Sequence, residues 1–387
     1  MIMEKKKIVL IQSVVAPYRF EVFKTLDKHK LTDFEVWFMA KLAKNRLWNA
    51  DVLNEYKFRH RFIPGITLNL GIRDNYPFWI NPFIFYYIAK ARPDVLIIFG
   101  WDSLTSFIAH ITCKLLGIKF IIWAGSTVNE KSWRRTLLKI PVKIHVKFAD
   151  AVIAYGTKAK EYLIELGADP EIIFISYNTT NIRKYEKLCR KYKQIRKKTK
   201  EELGFLNKKV IMFYGQLIER KGADLLIEAF KLLKRKHKKV ALLIVGTGVF
   251  KEKLCQMIKG YKLTDVKIID NPGDSIICKY YSIADLFVLP SREEVWGLVV
   301  NESMACGLPV LVSDVCGSSI DLVENGRNGY VFKTGDVNSL TSLIEKALAD
   351  NKKLINMGRR SKDIIKKFDP LITYKPVIEA INYSFKK

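Results

Sequence analysis

A chain of 387 residues is long for one domain and natural for two, and a hydrophobic share of 49% is ample for two cores. No apolar run approaches the ~18–20 residues of a membrane span, and the six cysteines, at 113, 189, 255, 278, 306 and 316, form no C-x-x-C pair and do not cluster with histidine; this argues against a zinc site and for free thiols in a reducing compartment. The net charge of +27 is uneven: residues 1–200 hold 36 Lys and Arg against 17 Asp and Glu, and the remainder 30 against 22, so the first half should meet the more anionic partner.

The N-terminus places basic residues before a short apolar run, KIVLIQS, with no small-residue cleavage site after it. This predicts a first buried strand rather than a signal peptide. The loop VVAPYRFEVF follows, with Arg19 in it. The aromatic-dense NYPFWINPFIFYYIAK reads as a short helix capped by Asn81, with Pro82 as its first residue, and core packing beneath the next strand is the expectation for it. DVLIIFGW, KFIIWAG, AVIAYG and IIFISYN then read as strands buried on both faces. The first of these ends at Trp101 and Asp102, where Asp102 either faces a cleft or caps the following helix. The second ends at Gly125, Ser126 and Thr127, where Ser126 is a helix cap or a cleft hydroxyl.

The stretch RKYEKLCRKYKQIRKKTKEELGF, residues 183–205, interrupts this alternation: it is basic, helical in character and poor in apolar residues. The domain boundary is expected just after it, giving domains over 1–205 and 206–370, and a C-terminal helix over 371–387 packing back on the first domain. VIMFYGQ, ALLIVGTG, VKIIDN, LFVLPS and PVLVSD continue the strands. Strands alternating with helical patterns predict parallel, doubly wound α/β sheets. Two Rossmann-like domains facing each other across a cleft are the expected architecture.

The second half carries the features of a phosphate site. In FYGQLIERKGADLLIEAF a strand leads through a glycine turn, with Lys221 and Gly222, into an amphipathic helix, and a lysine there can neutralise a diphosphate. The G-T-G at the end of ALLIVGTG is either a second phosphate turn or an ordinary tight βα turn. SREEVWGLVVNESMACGLPVLVSD reads as loop, helix and strand, with Gly307 at the helix C-terminus. It holds Glu294 and Glu302 with seven residues between them. In open α/β sheets ligands bind at the carboxyl ends of strands, where helix N-termini offer free N–H groups. The amides of Gly297, Leu298 and Val299 can hold a phosphate there. Glu302 lies about 8 Å further along the helix axis, where it can accept two ribose hydroxyls, and Glu294 faces whatever lies beyond the phosphate. The alternative is that both glutamates are solvated surface residues.

In order, FYGQLIERKG, IVGTG, YYSIADLFVLPSREEVWGLVVNESMACGLPVLVSD and CGSSIDLVENGRNGYVF resemble the retaining glycosyltransferases of family 4, strongly over residues 205–335 and more loosely before them. The resemblance implies the GT-B fold and sugar transfer from a nucleotide diphosphate donor, UDP- or GDP-linked, to a hydroxyl of a glycan or lipid-linked glycan in envelope polysaccharide or glycoconjugate synthesis. It implies that Glu294 contacts the donor sugar beside the reaction centre, that Lys221 binds the diphosphate, and that Glu302, Gly215, Gln216, Arg220, Gly297, Leu298 and Val299 bind the donor. Where the family has arginine after the first glycine of the turn, this chain has Gln216, so Arg220 or Arg19 would have to compensate. Where many members have a histidine, it has Gly125, Ser126 and Thr127. The resemblance also places Arg19 in the cleft, and the alternative is a surface arginine with Tyr18 as packing.

No cofactor and no metal is expected: there is no D-x-D pair, and Lys221 with helix N-termini can stand in for Mg²⁺. A non-catalytic partner subunit is the rival reading. A nucleic-acid-binding protein is a weaker one, since neither base-stacking aromatics in a basic groove nor a DNA-reading module is evident. The basic first half predicts a cytosolic-face protein that binds the anionic inner surface of the cell membrane reversibly. Donor base, sugar, acceptor and oligomeric state are left open.

Overall fold

The structure is a computed structural model that describes residues 5–30, 32–41, 58–68, 78–101, 103–130, 138–273 and 275–386. The chain forms two compact units, one of Met1–Thr179 with Pro370–Lys387 and the other of Thr180–Asp369.

The first unit is built on strands β1 (Lys6–Gln12), β2 (Thr32–Phe38), β3 (His60–Phe62), β4 (Ile66–Leu68), β5 (Phe78–Ile80), β6 (Val95–Phe99), β7 (Lys119–Ala124), β8 (Ala151–Ala154) and β9 (Ile173–Ile175). Seven of them form one parallel sheet in the order β3-β2-β1-β6-β7-β8-β9, and β4 and β5 make a separate antiparallel pair. Its helices are α1 (Phe20–Asp27), α2 (Ile84–Ala91), α3 (Leu104–Leu116), α4 (Lys139–Lys147) and α5 (Thr157–Glu165). The strand cores, such as Val9–Ile11, Leu96–Ile98 and Phe120–Ile122, are fully buried, as near-continuous apolar runs require in a sheet covered on both faces.

The aromatic stretch departs from expectation. Asn81 caps no helix. It is buried, and its side-chain amide donates to the carbonyls of Met39, Ile63 and Pro64 at 3.0–3.2 Å, tying three strand ends together. α2 starts only at Ile84 and buries Ile84 and Ile88, while Phe83, Phe85 and Tyr86 point outward rather than into a core. Between α3 and α4 lies a buried chain of hydrogen bonds: Ser106 Oγ to His145 Nε2 at 2.8 Å, His145 Nδ1 to His110 Nδ1 at 2.8 Å, and His110 Nε2 to the Phe148 carbonyl at 3.3 Å. The carbonyl can only accept, so His110 carries its proton on Nε2, His145 donates from Nδ1, and Ser106 donates to Nε2: both rings are neutral.

The second unit holds α6 (Ile182–Lys193), α7 (Arg196–Glu202), β10 (Lys209–Tyr214), α8 (Ala223–Lys236), β11 (Val240–Val245), α9 (Lys251–Gly260), β12 (Val266–Ile269), α10 (Ile277–Ile283), β13 (Leu286–Leu289), α11 (Leu298–Ala305), β14 (Val310–Ser313), α12 (Ser319–Leu322), β15 (Gly329–Phe332), α13 (Val337–Leu348) and α14 (Asn351–Ile365). Its sheet is parallel throughout, in the order β12-β11-β10-β13-β14-β15. The strand order reverses between β10 and β13, which creates a switch point at their carboxyl ends.

The boundary lies at Thr180, not after Phe205 as the composition suggested. The basic segment is two helices of the second unit. α6 buries Ile182, Tyr185 and Cys189 on one stripe against α10 and α11, so a few well-spaced residues suffice where overall composition reads as solvated. The segment beyond Asp369 forms α15 (Pro370–Thr373) and α16 (Lys375–Ser384) and belongs to the first unit. There α16 packs on β7, β8 and β9, the Ser176 hydroxyl donates to the Thr373 carbonyl at 2.6 Å, and Phe174 meets Tyr383 edge to face at 5.5 Å.

The expectation of free thiols throughout is also corrected. Cys189 on α6 and Cys306, just after α11, form a disulfide with Cα atoms 5.5 Å apart, while Cys113, Cys255, Cys278 and Cys316 are not disulfide-bonded. A separation of 117 residues hid the pair from any local motif.

Candidate active site

At the carboxyl end of β10 the chain enters a turn whose last residues, Glu219–Lys221, make one 3-10 turn before Gly222 starts α8. Gly222 has φ 69°, and a Cβ there would meet the Pro290 carbonyl oxygen at 2.0 Å, so the position takes only glycine. The glycines of G-T-G serve packing: a Cβ on Gly246 would lie 1.9 Å from the Gly215 carbonyl oxygen, and Leu217 N–H donates to the Thr247 carbonyl at 2.8 Å. The tight-turn alternative for this motif is therefore what the geometry supports.

The turn is locked onto the loop after β13. The Arg220 carbonyl accepts from Arg292 N–H at 2.7 Å, and Arg292 forms a bidentate pair with buried Asp224 at 2.7 and 2.6 Å. Sequence reading missed this pair, and the adjacency of Arg292 to the glutamates was its only signal. A bidentate guanidinium–carboxylate pair fixes orientation as well as distance. It sets Lys221 against Glu294, and the two form a hydrogen-bonded ion pair with side chains 15% and 9% exposed.

Glu294 is held from its own backbone as well, since its carbonyl accepts from Gly317 N–H at 3.1 Å. Cys316 beside it donates to the Trp296 carbonyl at 2.9 Å, and burial, with Glu294 adding to it, pushes the thiol up to about 12, so it stays protonated. Gly297, with φ 87°, caps α11, and the Trp296 indole donates to Asn301 at 2.9 Å to seat the first turn. The opening N–H groups of α11, at Leu298 and Val299, have no intrahelical acceptor and sit at the positive end of the helix dipole.

One turn further on, Glu302 is buried and accepts from the Tyr281 hydroxyl at 3.0 Å. Burial first, and the Glu302 charge second, hold the Tyr281 phenol well above its ordinary value, so it remains a donor. Tyr281 was not singled out from sequence. Gly215, Gln216, Arg220, Lys221, Glu294 and Gly297 thus lie on two adjoining βα connections of one unit, β10 to α8 and β13 to α11, and Leu298, Val299 and Glu302 on the helix that the second one enters. The bland alternative, two solvated glutamates, does not hold: Glu294 is 7% and Glu302 9% exposed.

The remaining candidates lie in the first unit. Arg19 sits inside it, its guanidinium 3.7 Å from the centre of the Phe99 ring and hydrogen-bonded to the Tyr155 hydroxyl, lining a cavity of about 20 Å³. Gly125 is where the Tyr155 ring packs, and a Cβ would meet that ring at 2.0 Å. Ser126 is half-buried in the coil after β7, and Asp102 lies outside the described residues. As for metal ligands, Cys189, Cys278 and Cys306 are buried with their sulfurs within 4.8 Å of one another, but the disulfide takes two of the three.

Residues 194–364 match the family model of glycosyl transferases group 1. The matched stretch lies within the second unit. Over 262 residues the chain is 25% identical to the capsular polysaccharide biosynthesis glycosyltransferase CapM of Staphylococcus aureus, covering 66% of this chain and 68% of CapM. Over 226 residues it is 31% identical to the D-inositol 3-phosphate glycosyltransferase of Gordonia bronchialis, a match that spans 55% of this chain and only 48% of that protein. Anabaena Alr3699/HepE, solved in complex with UDP, superposes with a TM-score of 0.77 over 97% of this chain and 99% of that one at 20% identity, a likeness of fold. Together these matches support a GT-B glycosyltransferase resembling the envelope-polysaccharide types.

Proposed function

We propose that this chain is a retaining, family 4 glycosyltransferase that moves a sugar from a UDP- or GDP-linked donor to a hydroxyl of a glycan or lipid-linked glycan during envelope polysaccharide synthesis. The observation that carries the reading is the joint placement of the Lys221–Glu294 pair on two adjoining connections and of the α11 N-terminus and the Tyr281-held Glu302 on the helix that follows. The N-terminus of α11 and Lys221 receive the diphosphate, Glu302 accepts the ribose hydroxyls, and Glu294 faces the sugar. The bond from the anomeric carbon to the diphosphate oxygen breaks as the acceptor oxygen bonds to that carbon on the same face. The acceptor proton passes to the departing oxygen. The protein's part is to position both partners and stabilise the leaving diphosphate. Lys221 and the helix amides supply positive charge for that without a metal ion. HepE solved with UDP-glucose supports a UDP-linked donor, and CapM supports a capsular or envelope glycan. The enzyme works at the cytoplasmic face of the membrane, peripherally, with its first unit toward the acceptor.

A second reading, a donor-binding partner subunit without turnover, is favoured by two features: Gln216 stands where the family has arginine, and Tyr155 fills the space beside Gly125. The test is a thermal-shift screen of UDP-, GDP- and ADP-sugars followed by donor turnover. A donor at about 100 times its dissociation constant adds about 2.7 kcal/mol of stability. Stabilisation with turnover supports the enzyme, stabilisation without turnover supports the subunit, and no stabilisation by any nucleotide sugar defeats both.

A further inference from the structure

In the first unit the apolar residues of two touching helices point the wrong way for a soluble surface. α3 already buries Thr105, Ala109, His110 and Cys113 on its inner face. Its opposite line repeats the apolar pattern with Leu104, Ile111 and Leu115, and Ile111 and Leu115 are 63% and 81% exposed. α4 buries Val142, His145 and Val146, and sets Ile140, Ile144 and Phe148, at 72%, 55% and 58% exposure, four residues apart on its outer face. The two helices meet through the Ser106–His145–His110–Phe148 hydrogen bonds, so the exposed apolar side chains stand on adjoining helices. α2, packed on α3, adds outward Phe83, Phe85 and Tyr86.

The charge around the patch selects its partner. Lys139, Lys143 and Lys147 form a second stripe along α4, directly beside the apolar one, and all three are exposed. Lys90 stands on the neighbouring α2, Lys114 of α3 pairs with Asp150 just past α4 at 3.1 Å, and none of α2, α3 and α4 contains an Asp or Glu. A helix with apolar residues flanked by lysines and no acid is built to lie in the boundary between headgroups and acyl chains.

We propose that the α3–α4 face, extended by α2, docks the protein onto an anionic lipid bilayer. The apolar side chains enter the headgroup boundary and the lysine stripe meets lipid phosphates. The inference rests on the peripheral placement proposed above and assigns it to a particular face.

The test is co-sedimentation of the full chain with vesicles of phosphatidylglycerol and phosphatidylethanolamine in equal parts, against vesicles of phosphatidylcholine, at low and high salt. Binding should be at least about tenfold weaker on the neutral vesicles and at high salt. Lys143→Gln with Lys147→Gln, and separately Leu115→Ser with Ile144→Ser, should each lower affinity for the anionic vesicles about tenfold or more. All four positions are exposed, so an unchanged thermal midpoint should accompany the loss. Equal binding to both lipids, or anionic binding untouched by either double variant, overturns the proposal. So does light scattering that finds a dimer which Leu115→Ser with Ile144→Ser turns into a monomer, since the face would then join two copies. The vesicle assay contains neither donor nor acceptor, so a chain that binds vesicles yet turns over no donor defeats the transferase reading alone.

Discussion

Glu302 is a buried carboxylate whose hydrogen bond comes from a neutral phenol. That bond fixes one oxygen of a group that, as a carboxylate, offers about four lone-pair sites. Glu302→Ala should weaken binding of the nucleotide diphosphate itself by roughly 1.5–3 kcal/mol, and Tyr281→Phe should lose less, because the carboxylate survives. Calorimetric affinity unchanged in Glu302→Ala would remove the ribose assignment. Lys221 and Glu294 are coupled differently. Each screens the other in a mostly buried place, so removing one leaves a charge there unpaired. Lys221→Met alone should lower the thermal midpoint more than Lys221→Met with Glu294→Gln, and the double variant should still lack turnover. If the two changes add with no interaction, the pair is not a coupled unit.

At the scale of helices and strands, the ten apolar runs singled out in sequence all contain observed strands, from Lys6–Gln12 to Val310–Ser313. That criterion finds strands buried on both faces, and it misses β2 for a physical reason. Asp33 and Glu35 interrupt its apolar residues, and they sit half-exposed beside Arg59 and Arg61 of the β3 region. The two glutamates and their glycines were legible because the α11 connection is local in sequence. Arg292–Asp224, Tyr281–Glu302 and Cys189–Cys306 were not, because each joins residues far apart whose types are individually unremarkable. The histidine pair between α3 and α4 was likewise invisible. Burial foremost lowers His110 to about 4 and His145 to about 3, with Lys114 and His110 respectively adding to it, while for His110 the Phe148 carbonyl and Asp150 oppose the shift. Both sit below the ordinary value near 6.5, so the unfolded chain takes up protons first. Stability should be full above about pH 6.5 and fall toward pH 3–4, by up to about 1.4 kcal/mol per pH unit per histidine. Denaturant melts of wild type and His145→Gln between pH 7 and 4 would check this. Equal acid slopes in the two would exclude the pair as the source.

For the molecule as a whole, the first unit is discontinuous, and Pro370–Lys387 completes it. Val377, Ala380 and Ile381 of α16 are buried, which amounts to about 5 kcal/mol or more of apolar burial, comparable with the entire stability of many domains. Deleting residues 370–387 should therefore leave the first unit protease-sensitive while 180–369 remains resistant. Equal resistance of both units would show that α16 is dispensable. The arrangement also orders events during translation. When Thr179 leaves the ribosome, the surface of β7, β8 and β9 that α16 covers is still bare. The ribosome then makes all of Thr180–Asp369, an interval on the order of 10–40 s. The part synthesised second is thus the first able to finish folding, and the nascent N-terminal sheet must wait beside it, open along one side.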